Sequence, residues 1–158
     1  FPSIDFISLR LIGEFMSNIL LDTLAKQPLI CAEGFLFEVE RRGYLTSGEF
    51  VPEVALEHPE VLENLHKEFQ HAGSNIVEAF TYNGHREKLR IINKENLLEP
   101  LNRAALKIAR KVADNPPKNA GINLMAGNIS NSNIWEQSNK GIQSEVKNMF
   151  AEMIKWAK

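Results

Sequence analysis

Three short polar clusters carry the side chains that could do chemistry, and each directly follows an apolar run. They are Ala32-Glu33-Gly34, Thr81-Tyr82-Asn83-Gly84-His85-Arg86, and Asn128 with Ser130 and Asn131. Glu33 could accept an ammonium group or orient a ligand, and Gly34 lets a ligand approach the backbone. The competing role for Glu33 is a carboxylate at a helix start. Tyr82 and Asn83 could form an aromatic wall and an amide donor, or simply a turn in which Asn-Gly tolerates left-handed geometry. Asn128, Asn131 and Asn133 carry the same pair of readings. The His85-Arg86 dipeptide reads as an exposed loop pair or as a site pair.

Metal chemistry finds little support in the spacing. His66 and His71 are five residues apart, which does not put both imidazoles on one helical face. HExxH and CxxC motifs are absent. These histidines, with His58, are expected on a surface or helix flank. Cys31 alone cannot hold zinc and is expected to be a buried strand thiol. The sequence also lacks a serine nucleophile elbow, a P-loop and a Gly-x-Gly-x-x-Gly fingerprint.

The elements that must position these clusters follow from periodicity. A short helix is expected over residues 18–26 and a strand over 29–31. A helix over 35–42 follows, stopped by Gly43, and then a loop over 44–53 with Gly48 and Pro52. Val61, Leu62, Leu65 and Phe69 recur at helical spacing and predict one long helix from about 52 to 72. A strand over 75–80, a turn over 81–84 and a short helix over 86–92 come next. A helix over 96–113 ends at Asn115-Pro116-Pro117, because proline cannot continue it. The last strand is expected over 121–126, with a polar loop after it and a final helix over 145–157.

Strands separated by long helices cannot be hairpin partners and must pair in parallel through right-handed crossovers. The fold class is therefore α/β, with functional groups collected at the C-terminal ends of the strands. Three β/α units fit either a small open sheet or the first part of a (β/α)8 barrel, which takes roughly 250 residues.

With 44% hydrophobic and 24% charged residues, the 158-residue chain has the composition of a globular domain. A formal charge of −2 leaves no basic excess for nucleic acid. No apolar run approaches the ~20 residues of a membrane span. The single cysteine excludes an internal disulfide framework and fits a reducing, cytoplasmic compartment. Residues 1–15 lack the ordered regions of a signal peptide. They are expected to be a leader or upstream translation before an initiator at Met16, with residues 16–158 as the folded domain; an ordinary helical extension is the alternative.

The chain resembles the N-terminal part of the homocysteine S-methyltransferase family, in particular its betaine–homocysteine branch. The resemblance is carried by Glu33-Gly-Phe-Leu-Phe-Glu-Val-Glu-Arg-Arg-Gly-Tyr44, Pro52-Glu-Val-Ala-Leu-Glu-His-Pro-Glu60 and His66-Lys-Glu-Phe-Gln-His-Ala-Gly-Ser-Asn75. It continues through Ala79-Phe-Thr-Tyr82, Lys88-Leu89, Asn102-Arg-Ala-Ala105 and Ala126-Gly-Asn128. It implies the first three β/α units of a (β/α)8 TIM barrel, truncated. It implies also a methyl transfer from an onium donor to homocysteine, giving methionine, in an enzyme whose zinc is held by three cysteine thiolates. On this resemblance Glu33, Gly34, Thr81, Tyr82, Asn83 and Asn128 are expected to form one wall of the substrate site, with homocysteine and a small methyl donor as partners.

The sequence departs from that pattern in places. Betaine-using relatives carry Asp-Gly-Gly where this chain has Ala32-Glu33-Gly34, a tryptophan near Phe50, and a tyrosine at the position of Asn83; the methyl donor is left open. The family's Gly-Gly-Cys-Cys segment has no counterpart among the 158 residues. A truncated, inactive chain that binds no zinc stoichiometrically and self-associates through open sheet edges or stays partly molten is the resulting expectation. The alternative is a short non-catalytic α/β module that pairs with another chain as an assembly or regulatory protein.

Overall fold

The computed structural model describes residues 19–44 and 53–158. The expected leader, the Met16 start, Phe50, and the Gly48 and Pro52 of the predicted loop lie outside the described residues. The described residues up to Ile30 belong to one unit and those from Cys31 on to another. In the first, helix α1 covers residues 19–24, with the Thr23 hydroxyl donating to the Ile19 carbonyl at 2.7 Å.

In the second unit the sheet is short and parallel. Strand β1 (Ile76–Glu78) pairs with β2 (Leu124–Ala126) in the register Ile76 to Leu124, Val77 to Met125 and Glu78 to Ala126. The strand expected over 29–31 is reduced to one parallel bridge between Cys31 and Ile76. The described residues thus show a mixed α/β arrangement with two strands and a bridge, where three strands were expected. Parallel pairing forces a crossover between β1 and β2. It is made by α5 (Arg86–Ile91), a 3-10 turn (Glu95–Leu97) and α6 (Leu98–Ala113).

Helix α2 (Phe35–Arg41) forms because Phe35 and Val39, four apart, share one buried face. The helix expected over 52–72 is two helices, α3 (Val54–Glu57) and α4 (Pro59–His71). Proline disfavours helical geometry in the residue before it, and His58 accordingly sits at φ −136°, ψ 57°, while Pro59 starts α4 where its missing N–H costs nothing. At the other end of α4, Gly73 takes φ 108° so that its own N–H reaches Gln70 O at 3.0 Å and the Ser74 N–H reaches Phe69 O at 2.9 Å. That paired closure turns the chain directly into β1.

The last helix, α7 (Lys140–Ala157), begins five residues before the start expected at residue 145. The side-chain oxygen of Asn139 accepts from Gly141 N at 3.0 Å and Ile142 N at 3.2 Å, satisfying two otherwise orphaned donors. Asn139→Ala should lower stability by about 1 kcal/mol and Asn139→Asp by much less, as read by the urea midpoint.

Strand alternation sorts the core. Val77 and Ala79 pack with Leu106, Ala109 and Val112 of α6. Phe35, Val39, Leu62, Leu65, Phe80, Ala105 and Ile108 form the second cluster, which ties α2 and α4 to the other flank of α6. Glu78 lies between Val77 and Ala79, so its side chain points to the opposite face of the sheet. Among the described residues no helix is long and apolar enough to cross a membrane.

Candidate functional site

The C-terminal ends of the strands border a cavity of about 470 Å3, within the usual range of small-molecule sites. Its lining includes Glu33, Gly34, Tyr82 and Asn128, four of the six residues expected there, together with Glu78 and the rings of Phe35, Phe37 and Phe80. Among the described residues the lining holds two carboxylates and no Lys, Arg or His. Such a wall accepts cationic groups: the carboxylates by charge, the ring faces by cation–π attraction.

Local geometry explains the placement. Gly34 caps the start of α2, which leaves Glu33 and Gly34 exposed at the cavity mouth. Thr81 is buried behind the wall. Its hydroxyl donates to Asn128 O at 2.7 Å and accepts from Asn128 N at 2.9 Å, joining the loop after β1 to the loop after β2. Tyr82 is half exposed at the rim. Asn83 is buried, but it does not line the cavity, and its Oδ1 has no hydrogen-bond partner.

Glu78 is the residue that sequence reasoning missed. Its Oε1 accepts from Asn128 Nδ2, and its Oε2 accepts from Cys31 Sγ at 3.3 Å. One carboxylate thereby connects the ends of all three chain segments of the sheet. A signal was present: Glu78 is the one charged residue in the apolar run from Ile76 to Phe80, at a position alternating with Val77 and Ala79.

Cys31 is exposed, not the buried thiol expected from its apolar neighbours: among the described residues it meets the sheet edge through one isolated bridge to Ile76 and the bond to Glu78, with no full strand around it. Partial burial and then the Glu78 carboxylate, by hydrogen bond and by charge, push its thiol up to about 12, with Glu33 adding in the same direction. At neutral pH it is neither a nucleophile nor a thiolate ligand.

The histidines are also corrected. His66 is buried, with its ring edge-on to Phe35 at 4.9 Å and neither ring nitrogen hydrogen-bonded. Its place on the apolar face of α4 puts it inside the core, and burial pushes its pKa down to about 4. His85 is fully buried instead of lying in an exposed loop. It caps α5, with Nδ1 accepting from Lys88 N at 3.3 Å and Nε2 donating to Asn131 O at 2.9 Å. Burial is also the main reason its pKa lies below the usual value. Arg86 is exposed and paired with Glu152 at 2.9 Å. His58 and His71 are surface residues, as expected. Among the described residues no group of three or more His, Cys, Asp or Glu is arranged to hold a metal.

A larger groove of about 920 Å3 lies between α5 and α7, away from the strand ends. Its Arg86 and Arg90 are paired with Glu152 and with Glu87, so charge there is largely neutralised within the protein.

The family model described as homocysteine S-methyltransferase matches residues 29–158. Betaine–homocysteine S-methyltransferase 1 of Bos taurus is 34% identical over 149 residues, covering 90% of this chain and 34% of the relative. The Danio rerio protein of the same name is 38% identical over 134 residues, covering 82% of this chain and 31% of the relative. The chain spans about a third of the length of these curated relatives. Among solved structures, the homocysteine methyltransferase MmuM from Escherichia coli in its oxidized form matches with a TM-score of 0.67 at 19% identity. That match covers 85% of this chain and 50% of the other, and it bears on the fold.

Proposed function

Because the chain belongs to the homocysteine S-methyltransferase family, we propose that its strand-end cavity is the homocysteine-side wall of a methyl-transfer site. The reading rests on one observation above all: Glu33, Gly34, Tyr82 and Asn128, distant in sequence, meet on a single cavity together with Glu78. In this reading the Cys31 bridge is the remnant edge of the first of three barrel strands. Glu33 and Glu78 receive the ammonium group of the amino acid substrate. The rings of Phe35, Phe37, Phe80 and Tyr82 exclude water and offer faces to an onium methyl group. Asn128, fixed by Thr81 and donating to Glu78, keeps that carboxylate aimed at the cavity.

Zinc supplied by three cysteine thiolates is what the family resemblance implies, and the residues of this chain do not fit it. The 158 residues hold one cysteine, and its thiol is kept protonated beside Glu78. No step is therefore assigned to a metal. The 158-residue chain binds homocysteine weakly, does not retain zinc stoichiometrically, and produces no methionine from a sulfonium or quaternary ammonium donor.

Titration of the 15N-labelled chain with L-homocysteine tests this. The amides of Glu33, Gly34, Tyr82 and Asn128 should move together with a Kd on the order of 1 mM. Glu78→Gln should weaken binding by about tenfold, the equivalent of 1.4 kcal/mol. Static amides at the strand ends would sink the substrate assignment, and methionine formed by the isolated chain would sink the inactivity.

A further inference from the structure

Outside the cavity, one buried side chain on the outer helix layer reaches the loop that shapes its wall. Asn102 of α6 is 1% exposed, and both of its amide hydrogens go to carbonyl oxygens: Gly84 O at 2.6 Å and Leu98 O at 2.7 Å. The second bond stays within α6. The first crosses to the end of the 81–84 turn, whose own closure is Gly84 N to Thr81 O at 2.9 Å. From Thr81 the connection runs through its hydroxyl to both backbone groups of Asn128, and from Asn128 Nδ2 to Glu78. Asn102, Thr81 and Asn128 also border one small cavity of about 170 Å3.

The fit at Gly84 is tight. A Cβ there would stand 3.1 Å from Asn102 Oδ1, 3.2 Å from Asn102 Nδ2 and 3.1 Å from Thr81 O. A side chain at this position would press the asparagine amide or the Thr81 carbonyl back by a few tenths of an ångström. The loop bearing Tyr82 is thus clamped from outside by a residue that never touches the cavity.

We infer that Asn102 is a positioning residue: by holding Gly84 it sets where the turn presents Tyr82 and where Thr81 meets Asn128. The functional meaning of this clamp rests on the methyl-transfer reading, but the clamp itself can be tested without substrate, so the two can fail separately. An asparagine whose role was only to stabilise α6 would change the unfolding free energy and leave the native turn as it is.

The test uses the full 158-residue chain labelled with 3-fluorotyrosine. It contains two tyrosines, Tyr44 and Tyr82, and so gives two 19F resonances. Asn102→Ala should shift or broaden the Tyr82 resonance while that of Tyr44 stays in place. Gly84→Ala, which pushes on the same amide from the other side, should do the same. Val112→Ala, on α6 but within the Val77 cluster, should lower the urea midpoint and leave the Tyr82 resonance unmoved. A folded Asn102→Ala chain with an unchanged Tyr82 resonance overturns the inference. Should that variant not fold, Gly84→Ala decides: a moved Tyr82 resonance supports the clamp and an unmoved one overturns it.

Discussion

Lowering the pH from 7 to 4 should cost this protein about 3 kcal/mol of stability through His66 alone. The unfolded imidazole protonates near 6.5, whereas burial against Phe35 holds the folded one near 4. Between those values the unfolded chain binds a proton that the folded chain refuses. Stability from this residue is therefore complete above pH 6.5 and drains away as pH falls towards 4. Among the described residues neither ring nitrogen has a hydrogen-bond partner that would offset the charge. Urea midpoints measured from pH 7.5 to 4.5 should fall steadily for the natural chain. They should fall much less for His66→Leu, which keeps the apolar volume and removes the titration. Buried His85 contributes a slope of the same sign, but it is present in both proteins, so their difference isolates His66. Parallel midpoint curves for the two proteins would refute the assignment.

Alkylation of Cys31 should be slower than that of a free thiol, on the order of 100- to 1000-fold at pH 8, although the residue is exposed. The reason is the thiolate fraction: a pKa near 12 instead of 9 leaves about a thousandth as much nucleophile, and solvent access at the exposed edge moderates that figure. Partial burial is the largest cause and Glu78 the next, through its hydrogen bond and its charge. Glu78→Gln removes the charge and keeps an acceptor, so it should accelerate iodoacetamide labelling by about tenfold or more. Glu33→Gln, removing the smallest contribution, should change the rate less. Equal labelling rates in the natural and Glu78→Gln chains would show that the carboxylate does not govern the thiol.

Both results concern residues whose type was plain in the sequence and whose environment was not. Helical periodicity at Val61, Leu62 and Leu65 located α4, and Pro116-Pro117 located the end of α6, because these are local consequences of side-chain spacing and proline chemistry. The same periodicity placed His66 one position after Leu65. A histidine there reads as a flank residue unless the width of the buried face is known, and tertiary packing sets that width. The division at His58-Pro59 was legible in principle, since the preceding-residue effect of proline is local. The continuous apolar stripe outweighed it.

That Glu33, Gly34, Tyr82 and Asn128 share one cavity was legible because residues after parallel strands gather at one end of the sheet whatever the details. Glu78 was not, since it lies inside a strand, and only the register with Ala126 and the bridge at Ile76 bring it to Asn128 and Cys31. Asn83 failed to join the cavity for a similar reason: which residue of a four-residue turn faces inward depends on the clamp at Gly84.

The lone bridge between Cys31 and Ile76 has a consequence for local opening. Beyond that bridge, Ala32 N donates to Ser74 Oγ at 3.2 Å, and α2 adheres mainly through Phe35 and Val39. The boundary between Glu33 and Glu78 is therefore expected to open ahead of the β1–β2 pairing, as amide hydrogen exchange would read. On the methyl-transfer reading, an ammonium group held by both carboxylates would close that boundary. Substrate occupancy would then be visible as slowed amide hydrogen exchange along α2 as far as Arg41, beyond the Phe35 and Phe37 rings that line the cavity.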